Sequence, residues 1–498
     1  MAGRLFDEAD ALLAQGRAAE ALALTAPLAA AADADLGVLS VHAAVLKALK
    51  RPEEALAFDE RATAAFPASA IAWHNRAATL GDLGRGADAL AAIQEAMRLG
   101  LDGAPTWTVY ARALTATGDF ELAETAYRES LLRAPADGLI ACELADLVWM
   151  RRGDAGRAQA VLDTAFHGGA APSPLLLHRA KLLEAAGDPT QAARLLAMAV
   201  ERLPDDLPLI LAAAQAAVET GQVAAAEGFL AMAQARAPER ADVVNQAVIV
   251  ELAAGRPDAA LATARGGLAR DPDNTSLWAW AASAARAAGD PLYEALCDYR
   301  QMVGVYEIET PPGWASLPAY LADLAAALRR LHPFAEAPIR QSLRQGSQTL
   351  QPLLTSTAPE IRAFFKAIEA PIRAHMARLG EGSDPLRRRN TGRYSLDGAW
   401  SVSLRPGGFH EDHFHPLGWL SSAFYVETPT AALDTPERQG WIRFGQPPLA
   451  LSPPLPPAHY VRPQPGRLVL FPSYLWHGTE PFTTNEPRLT MAFDVVPA

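Results

Sequence analysis

The chain has 498 residues, more than one hydrophobic core usually serves, so its length predicts at least two domains. Half of its residues are hydrophobic, but no run of about eighteen apolar residues is free of charged or amide side chains, which argues against a membrane span. The net charge of −12 disfavours nucleic acid as a partner.

Cysteine content and the first residues predict a cytoplasmic protein. Cys142 and Cys297 are the only cysteines and lie far apart in sequence, so we expect no disulfide and a reducing compartment. The first residues, Met-Ala-Gly-Arg-Leu-Phe-Asp-Glu, lack the basic and then apolar pattern of a signal peptide.

The first three hundred residues repeat with a period of about 34 residues, a length typical of helix-turn-helix repeats. Glycines mark the turn inside each unit, with Lys50 in one glycine slot, and prolines mark where the second helix of a unit must stop. The glycines are Gly16, Gly84, Gly118, Gly153, Gly187, Gly221, Gly255 and Gly289, and the prolines are Pro67, Pro135, Pro204, Pro238 and Pro272.

This period, with the Ala-x-x-x-Tyr pattern of Ala123 and Tyr127, resembles tetratricopeptide repeats. The resemblance implies about nine repeats over residues 1–303, stacked as an α-solenoid with a concave groove. Such a groove implies a protein or peptide partner. The alternative is a self-packing or dimerising arm, so a homodimer stays open.

Two amphipathic helices follow a linker rich in glycine and proline at 304–318. One is predicted over Pro318 to His332, and the other over Pro359 to Gly380 with a kink at Pro371.

From about Arg393 the hydrophobic period changes to two, which predicts β-strands. The alternating segments are 400–404, 420–426, 468–471 and 489–495. Short strands separated by Pro/Gly loops predict an antiparallel double sheet, a jelly roll (double-stranded β-helix), which with its flanking helices forms a second domain over 304–498. The fold class is therefore an α + β multidomain chain.

Five of the eleven histidines lie between 410 and 477. His413 and His415 are two residues apart, and on a strand this spacing would place both imidazoles on one face. Clustered neutral imidazoles on a β-framework suit a divalent transition metal with open positions for substrate.

Several motifs, in this order, resemble a bacterial family of 2-oxoglutarate/Fe(II)-dependent oxygenases, the His-x-His-Pro family, whose members often follow tetratricopeptide repeats. The motifs are Leu328-Arg-Arg-Leu-His, Gln341-Ser-Leu-Arg-Gln-Gly-Ser-Gln-Thr, Trp400-Ser-Val, His413-Phe-His-Pro-Leu-Gly-Trp-Leu-Ser, Gly466-Arg-Leu-Val-Leu-Phe-Pro-Ser, Leu475-Trp-His-Gly-Thr and Arg488-Leu-Thr.

The resemblance implies an enzyme that uses Fe(II) as cofactor and 2-oxoglutarate as cosubstrate. His413 and His477 match its iron ligands. Arg488 takes the place of the base that grips the far carboxylate of 2-oxoglutarate through two hydrogen bonds, with the Thr490 hydroxyl beside it. No catalytic residue beyond the metal ligands is assigned.

Three ligand sets remain open at this point. The first is His413, His415 and His477. The second combines His410 and Asp412 with His477. The third uses two histidines and waters, and His415 then only supports the site or binds substrate.

The resemblance and the repeats predict a dioxygenase that hydroxylates a captured protein or peptide. One alternative is a small-molecule oxygenase whose repeats serve assembly. Another is a scaffold or sensor without turnover.

Overall fold

The computed structural model describes residues 2–165, 173–430 and 433–498, with the backbone alone for residues 2–6. The chain forms two compact units, one of Met1–Leu147 with Ala160–Gly169 and one of Val148–Gln159 with Ala170–Ala498. The predicted boundary between 303 and 304 lies within the second unit and stays a prediction. Among the described residues, no helix has the length and apolarity needed to cross a membrane.

Paired antiparallel helices make up the first unit, and its last two helices, α9 and α10, also contribute residues to the second. The helices are α1 Ala2–Ala14, α2 Ala18–Ala29, α3 Leu36–Ala48, α4 Pro52–Ala65, α5 Ala70–Asp82, α6 Gly86–Arg98, α7 Ala104–Thr117, α8 Phe120–Arg133, α9 Gly138–Arg152 and α10 Ala155–Ala165.

The second unit continues the same pattern and then has two short helices in its described residues. These helices are α11 Ser173–Ala185, α12 Pro189–Arg202, α13 Leu207–Glu219, α14 Val223–Arg236, α15 Ala241–Ala253, α16 Pro257–Arg270, α17 Thr275–Ala288, α18 Leu292–Leu296 and α19 Tyr299–Met302.

The turns inside the helix pairs explain the 34-residue period. Every glycine of the predicted series has a positive φ, a conformation that glycine adopts without steric cost. Lys50, in the slot that lacks glycine, adopts the same conformation with φ of 58°. The prolines of the second series follow helix ends, as Pro204 follows α12. Local backbone geometry therefore sets the repeat.

In the described chain, three further α-helices lie between residues 304 and 393: α20 Leu317–Arg329, α21 Pro359–Ala367 and α22 Glu369–Leu379. The helix predicted over 318–332 is present as α20. The helix predicted over 359–380 is divided in two at Ile368, three residues before Pro371, because proline in the first turn of α22 cannot donate to the preceding turn.

In the part of the chain that the structure describes, nine strands form two antiparallel sheets, and they confirm the predicted fold class. The larger sheet has the order β1-β7-β4-β9-β3-β2 and the smaller one β6-β5-β8. The strands are β1 Gly304–Glu307, β2 Leu343–Gln348, β3 Tyr394–His410, β4 Leu420–Glu427, β5 Ile442–Phe444, β6 His459–Val461, β7 Arg467–Pro472, β8 His477–Thr479 and β9 Arg488–Pro497.

Two local predictions are wrong. Residues 304–307, predicted as part of a linker, form β1, because they pair with residues 467–470 of β7. His413 and His415, considered above as residues of one strand, do not lie on a named strand. In the described residues their segment makes one isolated bridge, between His413 and His477. In both places a partner far away in sequence decides the backbone hydrogen bonds.

The last repeats and the sheets share one hydrophobic core. It runs from Ala217 at the end of α13 through Trp280 on α17 and Tyr320 on α20 to Phe424 and Val495 in the larger sheet. Each large apolar side chain buried there contributes about 1.5–3 kcal/mol. Helices α13–α17 therefore belong to the same folded unit as the sheets.

Helix α16 offers a matched test of this packing. A Cβ on Gly267 would lie 2.7 Å from Leu277 Cδ1 and 2.9 Å from Val244 Cγ1, whereas a Cβ on Gly266 would meet nothing within 4 Å. We expect Gly266→Ala to raise the free energy of unfolding by about 0.5–1 kcal/mol, since alanine favours helix. Gly267→Ala should lower it by about 1–3 kcal/mol through overpacking. Urea unfolding measures both, and equal stabilisation by the two variants would contradict this packing.

Candidate metal centre

A reciprocal pair of backbone hydrogen bonds sets two of the histidines side by side. His413 N donates to His477 O, and His477 N donates to His413 O, each over 2.9 Å. The ring centroids of these two residues are 4.2 Å apart. The loop after His410 is thereby joined to the first residue of β8.

A carboxylate positions the third histidine. His415 Nδ1 donates to Asp494 Oδ1 over 2.6 Å, and Ser421 Oγ donates to the same oxygen over 2.7 Å. The backbone N–H of His415 also donates to Ser473 O over 2.9 Å. Asp494 on β9 and Ser421 on β4 lie opposite each other in the sheet, so the sheet register places the group that orients His415.

The Nδ1 atoms of all three histidines donate hydrogen bonds to oxygen acceptors. His413 Nδ1 donates to Glu411 O over 2.8 Å and His477 Nδ1 to Leu475 O over 2.9 Å. Because carbonyl oxygens only accept, the proton lies on Nδ1 and each Nε2 keeps its lone pair. One nitrogen from each of His413, His415 and His477 lies within 4.8 Å of the others. Three such nitrogens have the chemistry and spacing to hold a divalent transition metal.

Burial keeps two of these imidazoles neutral. Burial, with a smaller contribution from neighbouring histidines, lowers the pKa of His413 to about 3 and that of His477 well below its usual range. A histidine must be neutral to bind a metal, so neither side chain has to lose a proton at neutral pH.

The three histidines face a cavity of about 470 Å³ between the two sheets. Arg488 and Thr490, the predicted cosubstrate residues, line the same cavity. It is completed by Trp400, Val402, His410, Ser422, Ala423, Ile442, Gly478, Thr479, Met491 and Ala492.

Arg488 is a buried cation at the cavity wall. It is only 3% exposed, and no carboxylate of the described residues forms an ion pair with it. Its Nε donates to Gly440 O over 3.3 Å, and its guanidinium carbon is 5.5 Å from the centre of the Tyr425 ring. Burial lowers its pKa, since the charged form loses water. An anion in the cavity would compensate this charge.

Thr490 lies two residues after Arg488 on β9, opposite Val402 of β3. Its hydroxyl makes one long hydrogen bond, 3.4 Å to Val402 O. It is therefore able to turn towards a ligand beside Arg488.

The structure disfavours the second ligand set. Arg443 holds both carboxylate oxygens of Asp412, Nε to Oδ1 over 2.9 Å and Nη2 to Oδ2 over 2.8 Å, which leaves that carboxylate unavailable. His410, the other new member of that set, lines the cavity, and its ring lies 5.7 Å from that of His413. His459 is outside the cavity and stacks on Tyr299.

The last repeat helix supports the centre through Trp476, the residue before His477. Its indole Nε1 donates to Ser283 Oγ over 2.9 Å and to Ala279 O over 3.1 Å, both on α17. Its ring packs edge-on against Trp280, with centroids 4.7 Å apart, and against Phe414, 4.8 Å apart. Phe414 lies between His413 and His415, and Trp476 itself precedes His477. One indole is therefore next to the chain segments of all three histidines.

Comparison with known families agrees with this geometry. Residues 398–494 match the family described as "Putative 2OG-Fe(II) oxygenase", and residues 183–245 match the tetratricopeptide repeat family. The chain thus contains a region similar to tetratricopeptide repeats and a C-terminal region similar to that oxygenase family. No curated protein matches the chain.

Several solved structures are similar to part of this chain at low sequence identity. The APC/C hetero-tetramer Cut9-Hcn1 is 17% identical over 56% of this chain and 55% of that chain, with a TM-score of 0.32. PilF of Pseudomonas aeruginosa is 18% identical over 42% and 94%, with a TM-score of 0.33. The C-terminal part of a TPR repeat-containing protein from Cytophaga hutchinsonii is 15% identical over 48% and 97%, with a TM-score of 0.37.

Sequence reasoning missed two supports of the oxygenase site. Asp494 is the one charged residue inside the apolar alternation of β9, and this was a usable signal. Ser283 carried no signal, because a serine in an alanine-rich helix is compatible with ordinary packing.

We expect Asp494→Asn to weaken metal binding by about 10–100-fold, because the carboxylate orients His415 and increases the basicity of its Nε2. Titration with Co(II), followed by its visible absorption, measures the affinity. Asp434→Asn is the control, since that side chain is 79% exposed and pairs with Arg462. Equal affinity of the Asp494 variant and the parent would exclude His415 as an oriented ligand.

Trp476→Phe removes the indole N–H but keeps an aromatic ring against Trp280. One lost buried hydrogen bond costs about 1 kcal/mol, so we expect metal affinity to fall by about three- to tenfold. Trp314→Phe is the matched control, because the Trp314 N–H donates to Asp323 at an exposed position. If both variants bind Co(II) like the parent, helix α17 does not support the centre.

Proposed function

We propose that the protein is a 2-oxoglutarate- and Fe(II)-dependent dioxygenase that hydroxylates a protein or peptide bound by its repeats. The proposal rests on one observation above all: three imidazoles with free Nε2 atoms and a buried arginine without an acidic partner line the same cavity. The donor chemistry fits Fe(II), and the buried guanidinium fits a carboxylate.

In this proposal His413, His415 and His477 hold Fe(II), and Arg488 with Thr490 binds the far carboxylate of 2-oxoglutarate. Together, iron and 2-oxoglutarate supply the oxidation of a substrate C–H bond by dioxygen, with release of succinate and carbon dioxide. Asp494 keeps the proton of His415 on Nδ1. The walls of the cavity limit the access of water.

The surroundings of the cavity favour a protein substrate. A groove of about 830 Å³ lies beside β2, lined on one side by the repeat residues Trp149 and Gly153 and on the other by Leu343 and Arg344. Arg344 pairs with Glu411 over 2.6 Å, two residues before His413. A chain held by the repeats in this groove would lie close to the mouth of the site.

The electrostatic environment of Glu411 also connects the repeats with the site. Burial raises the pKa of Glu411, and the carboxylate of Glu184 on α11 raises it further. Burial likewise raises the pKa of Glu219 on α13, with contributions from Glu184 and Glu411. Lys181 of α11 lowers both pKa values and pairs with Glu184 over 2.6 Å, so both acidic and basic groups of the repeat helices act on the loop before His413.

Arg488→Lys should raise the KM for 2-oxoglutarate by about 10–100-fold, since lysine keeps the charge but loses the paired hydrogen bonds. Succinate release in the presence of Fe(II) and dioxygen measures this. Co(II) affinity should stay unchanged, which distinguishes a cosubstrate defect from a damaged metal site. No succinate release by the parent protein would refute the oxygenase assignment, and an unchanged KM in the variant would refute the role of Arg488.

The protein substrate is tested separately with the full-length His477→Ala variant as bait. Proteins that it captures are incubated with the active parent protein, and mass spectrometry searches for the addition of one oxygen atom. If the parent turns over 2-oxoglutarate with metabolites but modifies none of the captured proteins, the small-molecule alternative replaces this one.

A further inference from the structure

A second groove lies on the second unit and shares no lining residue with the metal cavity. It has a volume of about 1540 Å³ and is formed by α21, α22 and the first residues of β3. None of the proposed oxygenase chemistry uses it.

The groove is lined by four cations, Arg362, Lys366, Arg373 and Arg393, against one acidic side chain, Glu369. All four are exposed, and among the described residues none forms an ion pair or donates a side-chain hydrogen bond. Arg362 and Lys366 are four apart on α21, so the like charges repel each other on one helix face. This is unexpected in a chain of net charge −12.

The neighbouring arginines behave differently. Arg378 donates to Gln301 O, Arg387 pairs with Asp384, and Arg388 pairs with Asp273. These three stabilise the fold through contacts within the chain. Among the described residues, the four cations of the groove have no acidic partner, and Arg373 only lies over the ring of Tyr394, with its guanidinium carbon 5.5 Å from the ring centre. This uncompensated positive charge points to an external anion.

One wall of the groove is an unpaired strand edge. Strand β3 pairs with β9 from Tyr394 onwards, but on its other side the pairing with β2 begins only at Val402. Ala498 N donates to Arg393 O, and partners alternate along an antiparallel ladder, so the backbone groups of Tyr394 and Leu396 face the open edge. In the described parts of the chain, no strand covers this edge.

We propose that this groove binds an extended acidic segment of a partner protein. The segment adds as a strand to the edge at Tyr394 and Leu396, and its carboxylates contact the four cations. Apolar side chains on alternate positions contact Phe365 and Leu396, which also line the groove. The open edge favours a peptide over nucleic acid, because nucleic acid has no backbone amides to pair with it.

The test uses the full-length protein and a fluorescent short peptide of alternating Glu and Thr, with binding followed by anisotropy at low salt. The double variant Arg362→Glu/Arg373→Glu should weaken binding by about tenfold or more, because two attractions become repulsions. The control is Arg330→Glu, since Arg330 is exposed, unpaired in the described residues and outside the groove. Circular dichroism establishes that the variants are folded.

A second arm tests the strand edge without changing the protein. Two peptides are made, N-methylated at the odd-numbered or at the even-numbered amides. One of them should lose binding and the other should bind unchanged, since only one set of amides faces β3. Absent binding, equal binding by the double variant, or binding that survives both methylation patterns would each overturn the proposal. Tighter binding of a short oligothymidylate than of the acidic peptide would overturn it in favour of nucleic acid.

Discussion

The packing of Trp476 on helix α17 connects the repeats, the sheets and the histidine cluster. Its indole N–H is bonded to Ser283, and its ring lies between Trp280 and Phe414. The backbone segments that carry the three histidines meet at this side chain. A displacement of α17 should therefore move the three histidines. Binding of a partner to the last repeats could reach the site through this contact.

The charge distribution of the cavity depends on which of its polar side chains have an acidic partner within the chain. In the proposed metal site, three imidazoles would replace the more common set of two histidines and one carboxylate, and Asp494 binds His415 from its far side. At another part of the wall Arg488 is buried, and no carboxylate in the described part of the chain pairs with it. The cavity thus offers neutral donors and a fixed cation, which suits an anionic ligand that reaches both.

The repeat architecture was predictable because the same local sequence pattern occurs in each helix pair. Glycine, or Lys50 in its place, occupies the left-handed turn of each helix pair. The strands with a period of two were predictable for the same reason. Strand β1 was not, because its pairing with β7 depends on residues that are distant in sequence.

The sequence by itself determined the helical repeats, the alternating strands and the candidates His413, His415, His477, Arg488 and Thr490, since spacing and motif order are properties of the chain. Only the tertiary structure decided which polar groups meet. In the folded chain Asp412 binds Arg443, Asp494 binds His415, and Ser283 accepts a hydrogen bond from Trp476. Such partners are separated by tens to hundreds of residues, and only sheet register and core packing bring them within hydrogen-bond distance.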